Sequence, residues 1–421
     1  MSNPKLALIP SGQKATKVYS VLPSDGSGDF TFARTGDATR VREDGLIETV
    51  ATTVPRLDWL NSDCPNLLLE PQRTNIQIRS EEFDNAAWTK QADLTVTANQ
   101  VTAPTGELTA DKIQRGSTVD ANNYLVDAAS KSSSAQLDAC TSVFVKQGEG
   151  DFFALRMTGT YPNRVDAIFQ FSNTTLTTSV AGADFTVTSS KVENYGNGWY
   201  RLSVVYNTDA AATISSAFSP RGTSGQIDAT DTSTSAFVYL WGCQVEEGIG
   251  STSYIKTESG STTRNADVCT DAGNDNTFND NEGVLYAEIA ALADDETQRH
   301  IAISDGSTSN FVRFHYKASV SNTIRFQVKS GTQVVNSSVV VSDITKFNKV
   351  ALSYKENDCK AYIDGVLVAT DTNASPMPTG LNELSFDDGG ASGLNDFYGK
   401  IKDLRYYDTA LTDAELIELT R

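Results

Sequence analysis

The sequence predicts an all-β protein, with two β-sandwich domains of jelly-roll type in tandem behind an extended N-terminal region and one short C-terminal helix. Apolar and polar residues alternate with a period of two over short runs. Clusters of Gly, Asn, Asp and Ser, which favour turns, separate these runs. The chain has 421 residues, more than one ordinary core accommodates, so more than one domain is expected.

The C-terminal third contains the clearest strands. In the segment 311–317, Val312 and Phe314 share one face, whereas polar side chains occupy the other. The segments 324–328 and 350–355 repeat this pattern, which is typical of antiparallel strands that cover a core on one side.

A tight hairpin and a helix complete this part of the chain. Asp364 and Gly365 separate two apolar stretches within 362–367, and this dipeptide favours a two-residue type I′ turn. Near the end, Thr412 and Glu415 form the pattern of a capping box. The helix they begin has about two turns and must dock on a sandwich to be stable.

The middle of the chain has strands of its own, at 199–205 and 236–245, which predict a second core. Between the two cores, the stretch from Glu258 to Gly283 is rich in Ser, Thr, Asn, Asp and Gly and reads as a linker. The first 75 residues have too little apolar periodicity for an independent core, so we expect them to be extended and held by neighbours. The predicted organisation is an N-terminal attachment region (1–75), a jelly roll (76–267), a linker (268–282) and a second β-sandwich (283–421).

Charge and apolar patterning exclude several classes of protein. The 34 basic and 53 acidic residues give a net charge of −19, which repels phosphate backbones, so no nucleic-acid partner is expected. No run approaches the roughly 18 apolar residues of a membrane span, so membrane insertion is not expected. The apolar stretch 6–9 is shorter than a secretory signal requires.

Cysteine and histidine usage limits the chemistry further. The five cysteines are widely spread and form no CxxC pair, so free thiols and a reducing compartment are expected. His300 and His315 are the only histidines, which leaves almost no material for a histidine-based metal site or catalytic triad.

Several strings near the N-terminus resemble phage head-fibre and tail-fibre proteins. They are Phe32–Arg34, Ala38–Val41, Asp44–Glu48, Pro55–Asp58 and Cys64–Asn75. The resemblance implies a virion protein, made in the host cytoplasm, that attaches to capsid or tail proteins through this region. The candidate attachment residues are Arg40, Leu67, Leu68, Leu69, Gln72, Arg73 and Asn75.

Two further stretches resemble known domains. The strings Ala110–Ile113, Gly196–Arg201, Trp241–Glu246, Ser253–Ile255 and Thr263–Asp267, with Phe83 and Trp88, look like a carbohydrate-module-like jelly roll. The hairpin Tyr362–Val368, with Gly399–Tyr407 and Leu411–Leu416, is similar to laminin-G and concanavalin A-like sandwiches. That sandwich serves lectins, enzymes and spacers alike, so it specifies fold more than function.

Catalytic residues are not predicted. Glycanases of the concanavalin type carry closely spaced carboxylates that flank one glycosidic bond, and this chain has no Glu-x-Asp-x-x-Glu string. Glu383 and Asp387 are the nearest candidates, and we interpret them as solvated surface acids.

Candidate glycan-binding residues lie in one loop and on one strand. The oxygen-rich loop residues Asp387, Asp388, Asn395 and Asp396 offer ligands that suit calcium beside a sugar, but no EF-hand-like spacing supports an ion, so a solvated loop is the favoured interpretation. No other cofactor is expected. Among the tryptophans, Trp199 is the candidate for stacking on a sugar, whereas alternation favours core packing for Trp241.

The first functional hypothesis is a non-enzymatic virion structural protein, as a head fibre, tail fibre or capsid decoration, that displays sandwiches for adhesion to glycans. Two alternatives remain open: a tail-spike polysaccharide depolymerase and a cellular glycan-binding lectin. A homo-oligomer, with a trimer as the first expectation, would supply burial for the N-terminal region.

Overall fold

The computed structural model describes residues 3–117, 119 and 122–421. The N-terminal strands are β1 (Leu6–Leu8), β2 (Gln13–Lys14), β3 (Lys17–Val18), β4 (Phe30–Ala33), β5 (Ala38–Val41), β6 (Ile47–Val50), β7 (Arg56–Asp58), β8 (Asn66–Leu69) and β9 (Arg73–Asn75). The middle strands are β10 (Thr89–Lys90), β11 (Thr95–Val101), β12 (Ala110–Gln114), β13 (Leu125–Ser130), β14 (Asp138–Glu149), β15 (Phe152–Thr158), β16 (Arg164–Gln170), β17 (Thr175–Ala181), β18 (Thr186–Asn194), β19 (Trp199–Asn207), β20 (Thr213–Arg221), β21 (Phe237–Glu247) and β22 (Thr262–Arg264). The C-terminal elements are β23 (Val268–Thr270), β24 (Glu282–Ala291), β25 (Arg299–Ser304), β26 (Asn310–Tyr316), β27 (Thr323–Ser330), β28 (Thr332–Val340), β29 (Asn348–Lys355), β30 (Cys359–Ile363), β31 (Val366–Asp371), β32 (Glu383–Ser385), β33 (Gly399–Tyr407) and helix α1 (Asp413–Thr420).

These elements confirm the predicted all-β class with one short C-terminal helix. In the part of the chain that the structure describes, no helix is long and apolar enough to cross a membrane.

The chain forms two compact units, and each unit combines separated stretches. Unit 1 comprises Met1–Asp37, Val50–Pro71 and Asn265–Arg421, whereas unit 2 comprises Ala38–Thr49 and Gln72–Arg264. The predicted ranges were consecutive along the chain. The compact units are not, because strands far apart in sequence pair with one another, and periodicity within a strand carries no information about its partner.

Unit 1 is a sandwich of two antiparallel sheets. One sheet has the order β31-β30-β29-β24-β33-β8-β7, with β1 also paired to β33, and the other has the order β28-β27-β26-β25-β32. The core contains inward-facing residues of both sheets, including Ile301, Phe314, Phe326, Leu352 and Leu404. The predicted alternation at 311–317, 324–328 and 350–355 is therefore present as β26, β27 and β29.

Short N-terminal strands complete the larger sheet of unit 1. Residues Leu6–Leu8 of β1 pair with Leu404–Tyr406, and Leu67–Leu69 of β8 pair with Gly399–Ile401, so β1 and β8 follow one another along β33. Four of their leucines, Leu6, Leu8, Leu67 and Leu69, belong to the main core of unit 1. The N-terminal region thus contributes core residues, in strands of only three or four residues that are too short to show alternation.

The predicted linker 268–282 also belongs to unit 1. Its strand β23 pairs with β4 through Cys269 and Phe32, and both Cys269 and Phe278 are buried in the core. The polar composition of this stretch comes from tight turns, in which side chains such as Asn274 accept hydrogen bonds from nearby backbone amides.

The predicted hairpin and helix are confirmed. Asp364 and Gly365 have φ angles of 48° and 80°, as a type I′ turn requires, and Ile363 pairs with Val366 across the turn. Thr412 caps α1 in a complete capping box with Glu415. The helix packs Leu416 and Leu419 against Val284, Tyr286, Ala351 and Tyr362 on the outer face of the larger sheet.

Unit 2 contains two six-stranded antiparallel sheets. Their orders are β10-β13-β20-β15-β16-β17 and β11-β12-β21-β14-β19-β18. Apolar side chains from both sheets, including Phe83, Trp88, Phe153, Leu202 and Leu240, form its main core. Two small sheets, β5-β6 and β9-β22, add to this unit.

Candidate binding face

The loop between β32 and β33 carries four of the predicted glycan-binding residues. Asp387 Oδ1 accepts a hydrogen bond from the backbone amide of Gly389 at 2.7 Å, and Asp388 Oδ1 accepts one from Gly390 at 3.0 Å. Both carboxylates therefore turn back onto their own loop. The loop closes where Asp388 donates its backbone amide to the carbonyl of Leu394.

Burial changes the titration of this loop. Asp387 is 3% exposed, and its pKa is raised to about 7, mainly by burial and also by the nearby carboxylates of Asp396, Asp388 and Glu383, although the Gly389 amide opposes the shift. Burial also raises the pKa of Asp396, although the Tyr398 hydroxyl donates to its carboxylate at 3.1 Å. A fraction of the Asp387 side chains is consequently neutral at pH 7.

The acids of this loop, which are among the described residues, do not come together as a set of metal ligands. Among the described residues, no group of three or more His, Cys, Asp or Glu side chains could hold a metal ion. Asn395 is exposed, and its backbone carbonyl accepts from the amide of His300 at 3.1 Å. The calcium expectation stays a prediction.

The loop lies against the outer face of the five-stranded sheet of unit 1. Ser304 on β25 donates its hydroxyl to the carbonyl of Gly389 at 2.8 Å. Arg313 on β26 donates from Nη1 to the carbonyl of Asp388 at 3.1 Å. Backbone oxygens, rather than carboxylates, thus attach the loop to the sheet.

Beside the loop, three neighbouring strands present a grid of outward-facing side chains. Residues of β26, β27 and β28 pair across the strands in three rows. The residues that alternate with these rows along the strands face the core, and they include Val312, Phe314, Phe326 and Val328. We call the outward set the polar face. Its rows are Phe311, Lys329 and Gln333; Arg313, Gln327 and Asn336; and His315, Arg325 and Ser338.

The cations of the polar face hydrogen-bond to neutral oxygens. Arg313 donates from Nε to Gln327 Oε1 at 2.9 Å, and its guanidinium lies 3.8 Å from the centre of the Phe311 ring. Arg325 donates from Nε to Asn336 Oδ1 at 2.6 Å, and Lys329 donates to the carbonyl of Thr308 at 2.7 Å. These bonds hold the cationic groups in defined positions without neutralising them.

The two histidines meet beside this face. His300 and His315 pair across β25 and β26, and their rings stack with centroids 4.1 Å apart. The pKa of both imidazoles is lowered, that of His315 to about 4, mainly by burial and also by the neighbouring Arg313. Both rings are therefore neutral at pH 7. Their pairing could not be predicted from two histidines 15 positions apart.

Trp199 does not reach a surface. It is 2% exposed, and its indole Nε1 donates to the carbonyl of Thr102 at 3.1 Å, so its ring presents no face for a sugar to stack on. Burial of Trp241 agrees with the expectation of packing, and its ring contacts Phe144 and Tyr254. The turn before Trp199 suggested exposure, but that turn only leads the chain into a buried strand.

Most of the predicted attachment residues are structural. Leu67, Leu68 and Leu69 are buried in β8, and the Asn75 amide is buried between the carbonyls of Cys243 and Ile255. Arg40 is half-buried and pairs with Glu48 at 2.7 Å, and Arg73 is half-buried, which leaves Gln72 as the exposed member of the set. Buried side chains cannot contact another protein while the fold is intact.

Four other residues of the N-terminal and middle strings form a buried ionic network in unit 1. Arg56 makes ion pairs with both Glu70 and Asp267, and Arg34 Nη1 lies 3.1 Å from Asp267 Oδ1. The backbone amide of Glu70 also donates to Asp267 at 2.8 Å. Two positive and two negative groups thus balance each other, and the network links stretches that are about 200 residues apart.

Four acids that lie outside this loop either accept hydrogen bonds within the fold or are exposed. Asp280 accepts the backbone amides of Gly380 and Leu381, and Glu383 accepts the Ser304 hydroxyl at 3.3 Å. Asp271 and Asp275 are exposed. All five cysteines are free thiols, with Cys64 exposed and the other four buried.

Comparison with known families matches residues 250–417 to the concanavalin A-like lectin/glucanases superfamily. The match covers less than half of the chain and confirms the predicted concanavalin A-like domain at the level of fold. No curated protein matches the chain.

Several solved structures show partial likeness to this chain. The CBM40 of Ruminococcus gnavus IT-sialidase bound to alpha2,3 sialyllactose is 16% identical, with a TM-score of 0.30, over 36% of this chain and 94% of that one. Domain 4 of the arabinanase AbnA from Geobacillus stearothermophilus in complex with arabinotriose is 16% identical, with a TM-score of 0.31, over 41% and 84%. The K499G mutant of NanB sialidase from Streptococcus pneumoniae is 14% identical, with a TM-score of 0.29, over 34% and 24%.

Proposed function

We propose that this chain is a non-enzymatic adhesion protein of a bacteriophage virion that binds glycans through the polar face of unit 1. The observation that carries the proposal is the grid of outward side chains on β26, β27 and β28. Phe311, Gln327 and His315 are buried, whereas the other six members are exposed or half-buried and each carries a hydrogen-bonding group: Arg313, Arg325, Lys329, Gln333, Asn336 and Ser338.

Such a grid suits a saccharide, whose hydroxyl groups both donate and accept hydrogen bonds. Gln333, Asn336 and Ser338 lie on the exposed edge strand β28, and Arg325 beside them is half-buried. Guanidinium and amide groups offer several planar donors and acceptors at fixed spacing. A shallow site of this kind binds weakly, so several copies on one particle would be needed for stable adhesion.

One further observation supports binding rather than hydrolysis. A general acid must reach the bond that it cleaves, whereas Asp387 is buried with its carboxylate hydrogen-bonded to its own loop. The matched superfamily includes both lectins and glucanases by its description. The depolymerase alternative predicts release of reducing ends from polysaccharide, which the same binding experiment can monitor.

The virion role is supported by the resemblance of the N-terminal strings to phage fibre proteins. Since most of those residues stabilise the two units, attachment would use exposed positions near them, such as Gln72. Assembly into a homo-oligomer, with a trimer as the first expectation, stays part of this proposal. Immunogold electron microscopy of intact particles would locate the protein on head or tail, and its absence from particles would overturn the virion role.

A glycan array tests the binding function directly. Wild-type protein should bind a subset of glycans, and Arg325→Ala should weaken that binding at least about tenfold. Lys346→Ala, which removes an exposed cation of the same unit outside the polar face, is the matched control and should bind normally. Equal binding by both variants, or no binding by wild type, would contradict the assignment.

A further inference from the structure

We infer that the polar face selects an acidic saccharide, with a carboxylate or sulfate group held by Arg313, Arg325 and Lys329. This inference rests on the proposed glycan binding and adds the class of ligand. The inference comes from the cluster of cations on the polar face, because hydrogen bonding to a neutral sugar does not require such a cluster.

The three cations converge on one region. Arg313 stands opposite Gln327, so it is the diagonal neighbour of both Arg325 and Lys329 on β27. Diagonal neighbours on adjacent strands lie about 7–8 Å apart. The Lys329 ammonium is 5.9 Å from the centre of the same Phe311 ring over which the Arg313 guanidinium stacks. One aromatic ring thus lies beneath two positive groups.

No anion of the described residues neutralises this cluster. No described carboxylate oxygen lies within 4.0 Å of the Arg313, Arg325 or Lys329 cationic groups, whose hydrogen-bond acceptors are amide and carbonyl oxygens. Three like charges at such spacing repel each other, and a bound oxyanion would relieve that repulsion.

The electrostatics of Arg313 agree with this picture. The pKa of Arg313 is lowered to about 10, mainly by burial and also by the nearby Arg325, although the Asp388 carboxylate partly opposes the change. An oxyanion beside Arg313 would stabilise its charged form in the same way that a carboxylate partner does.

Donor atoms remain for a ligand. Arg313 Nη2 and both Nη atoms of Arg325 make no hydrogen bond to a described residue, while the Nε atoms are held by Gln327 and Asn336. Fixed guanidinium groups with free Nη atoms bind carboxylate or sulfate oxygens through charge-assisted hydrogen bonds. The adjoining Asn336 and Ser338 would then contact the sugar hydroxyls.

The acidic loop predicts how a ligand is oriented on the polar face. Asp388 lies on the β25 side of Arg313, whereas Arg325 and Lys329 lie on the β27 side. An anionic substituent is therefore repelled from the loop and attracted toward β27, so the ligand should bind with its acidic group over β27.

The test uses the full-length protein and three saccharides that share one ring: galactose, galacturonic acid and galactose 6-sulfate, each on the same multivalent polymer at equal density. Binding is measured by biolayer interferometry at low and high salt. We expect the acidic polymers to bind at least about tenfold more tightly than the galactose polymer, with the advantage reduced by salt. Preference for galacturonic acid alone would identify carboxylated sugars, and equal binding of both acids would identify any oxyanion-bearing sugar.

Three variants separate charge from folding. Arg325→Gln should abolish the acidic preference, Arg325→Lys should restore part of it, and Lys346→Gln should leave it unchanged, with circular dichroism as the check on folding. If galactose binds as tightly as the acidic forms, the acidic-ligand inference is wrong while glycan binding stands. If none of these polymers and no glycan of an array binds, both proposals are wrong.

Discussion

The N-terminal strands of unit 1 predict that the C-terminal sandwich cannot fold without them. A fragment comprising Asn265–Arg421 lacks β1, β7 and β8, whose leucines Leu6, Leu8, Leu57, Leu67 and Leu69 are each at most 7% exposed in the intact chain. The predicted second sandwich, 283–421, did not include these strands, because periodicity within a strand carries no information about its partner.

The size of the effect follows from burial. Each fully buried leucine side chain contributes about 1.5–3 kcal/mol, so five of them contribute on the order of 8–15 kcal/mol. The entire unfolding free energy of a typical domain is about 5–15 kcal/mol. Loss of these strands would also leave one edge of β33 unpaired. The fragment should therefore be unfolded or aggregated.

Circular dichroism, urea unfolding and amide exchange of the fragment provide the measurement. In the full-length protein, Leu67→Ala should lower the unfolding free energy of unit 1 by about 2–5 kcal/mol. Leu367→Ala, at a position 46% exposed, should change it by less than about 0.5 kcal/mol. A cooperative unfolding transition of the fragment with the stability of the intact unit would refute this reasoning.

Four further changes have defined outcomes. Asp267→Asn should cost about 3–5 kcal/mol in urea unfolding, since it leaves two buried arginines with one carboxylate, whereas the exposed Asp63→Asn should have little effect. Thiol titration should detect Cys64 alone in the native protein and all five cysteines in denaturant, and a lower count in denaturant would reveal a disulfide. Because the pKa of Asp387 is raised from 3.8 to about 7, its contribution to stability is present at low pH and lost as pH rises through 7. Asp387→Asn should remove that loss, so it should raise the unfolding free energy at pH 8 but not at pH 4. An equal effect of the substitution at both pH values would contradict a raised pKa of Asp387. Thr412→Ala should cost about 0.5–2 kcal/mol through loss of the α1 cap, and an unchanged urea midpoint would show that packing alone holds the helix.

Local patterns in the sequence predicted local structure well. The alternation in β26 and β27 placed Val312 and Phe314 inside and Arg313 outside, and the Asp364-Gly365 turn and the Thr412 cap are both present. Each of these features depends on residues within a few positions of one another.

Features that depend on distant pairing could not be predicted. β1 and β8 are short and buried throughout, and their partner strand lies more than 300 residues away. The polar face likewise arises from the register of three strands, which brings Arg313, Gln327 and Asn336 into one row. Trp199 was misplaced because its turn indicated a surface, whereas the strand that follows is buried.

During synthesis on the ribosome, β8 emerges long before its partner strand β33. Leu69 must wait for Gly399 before it can pair, and ribosomes add about 5–20 residues per second. The leucines of β8 are thus without their partner strand for roughly 15–65 seconds, while the larger stretch of unit 2, Gln72–Arg264, is being made. During that interval unit 2 can fold, whereas unit 1 cannot. Production of intact protein should therefore depend on chaperones that cover the N-terminal strands β1 and β8, and on a low growth temperature.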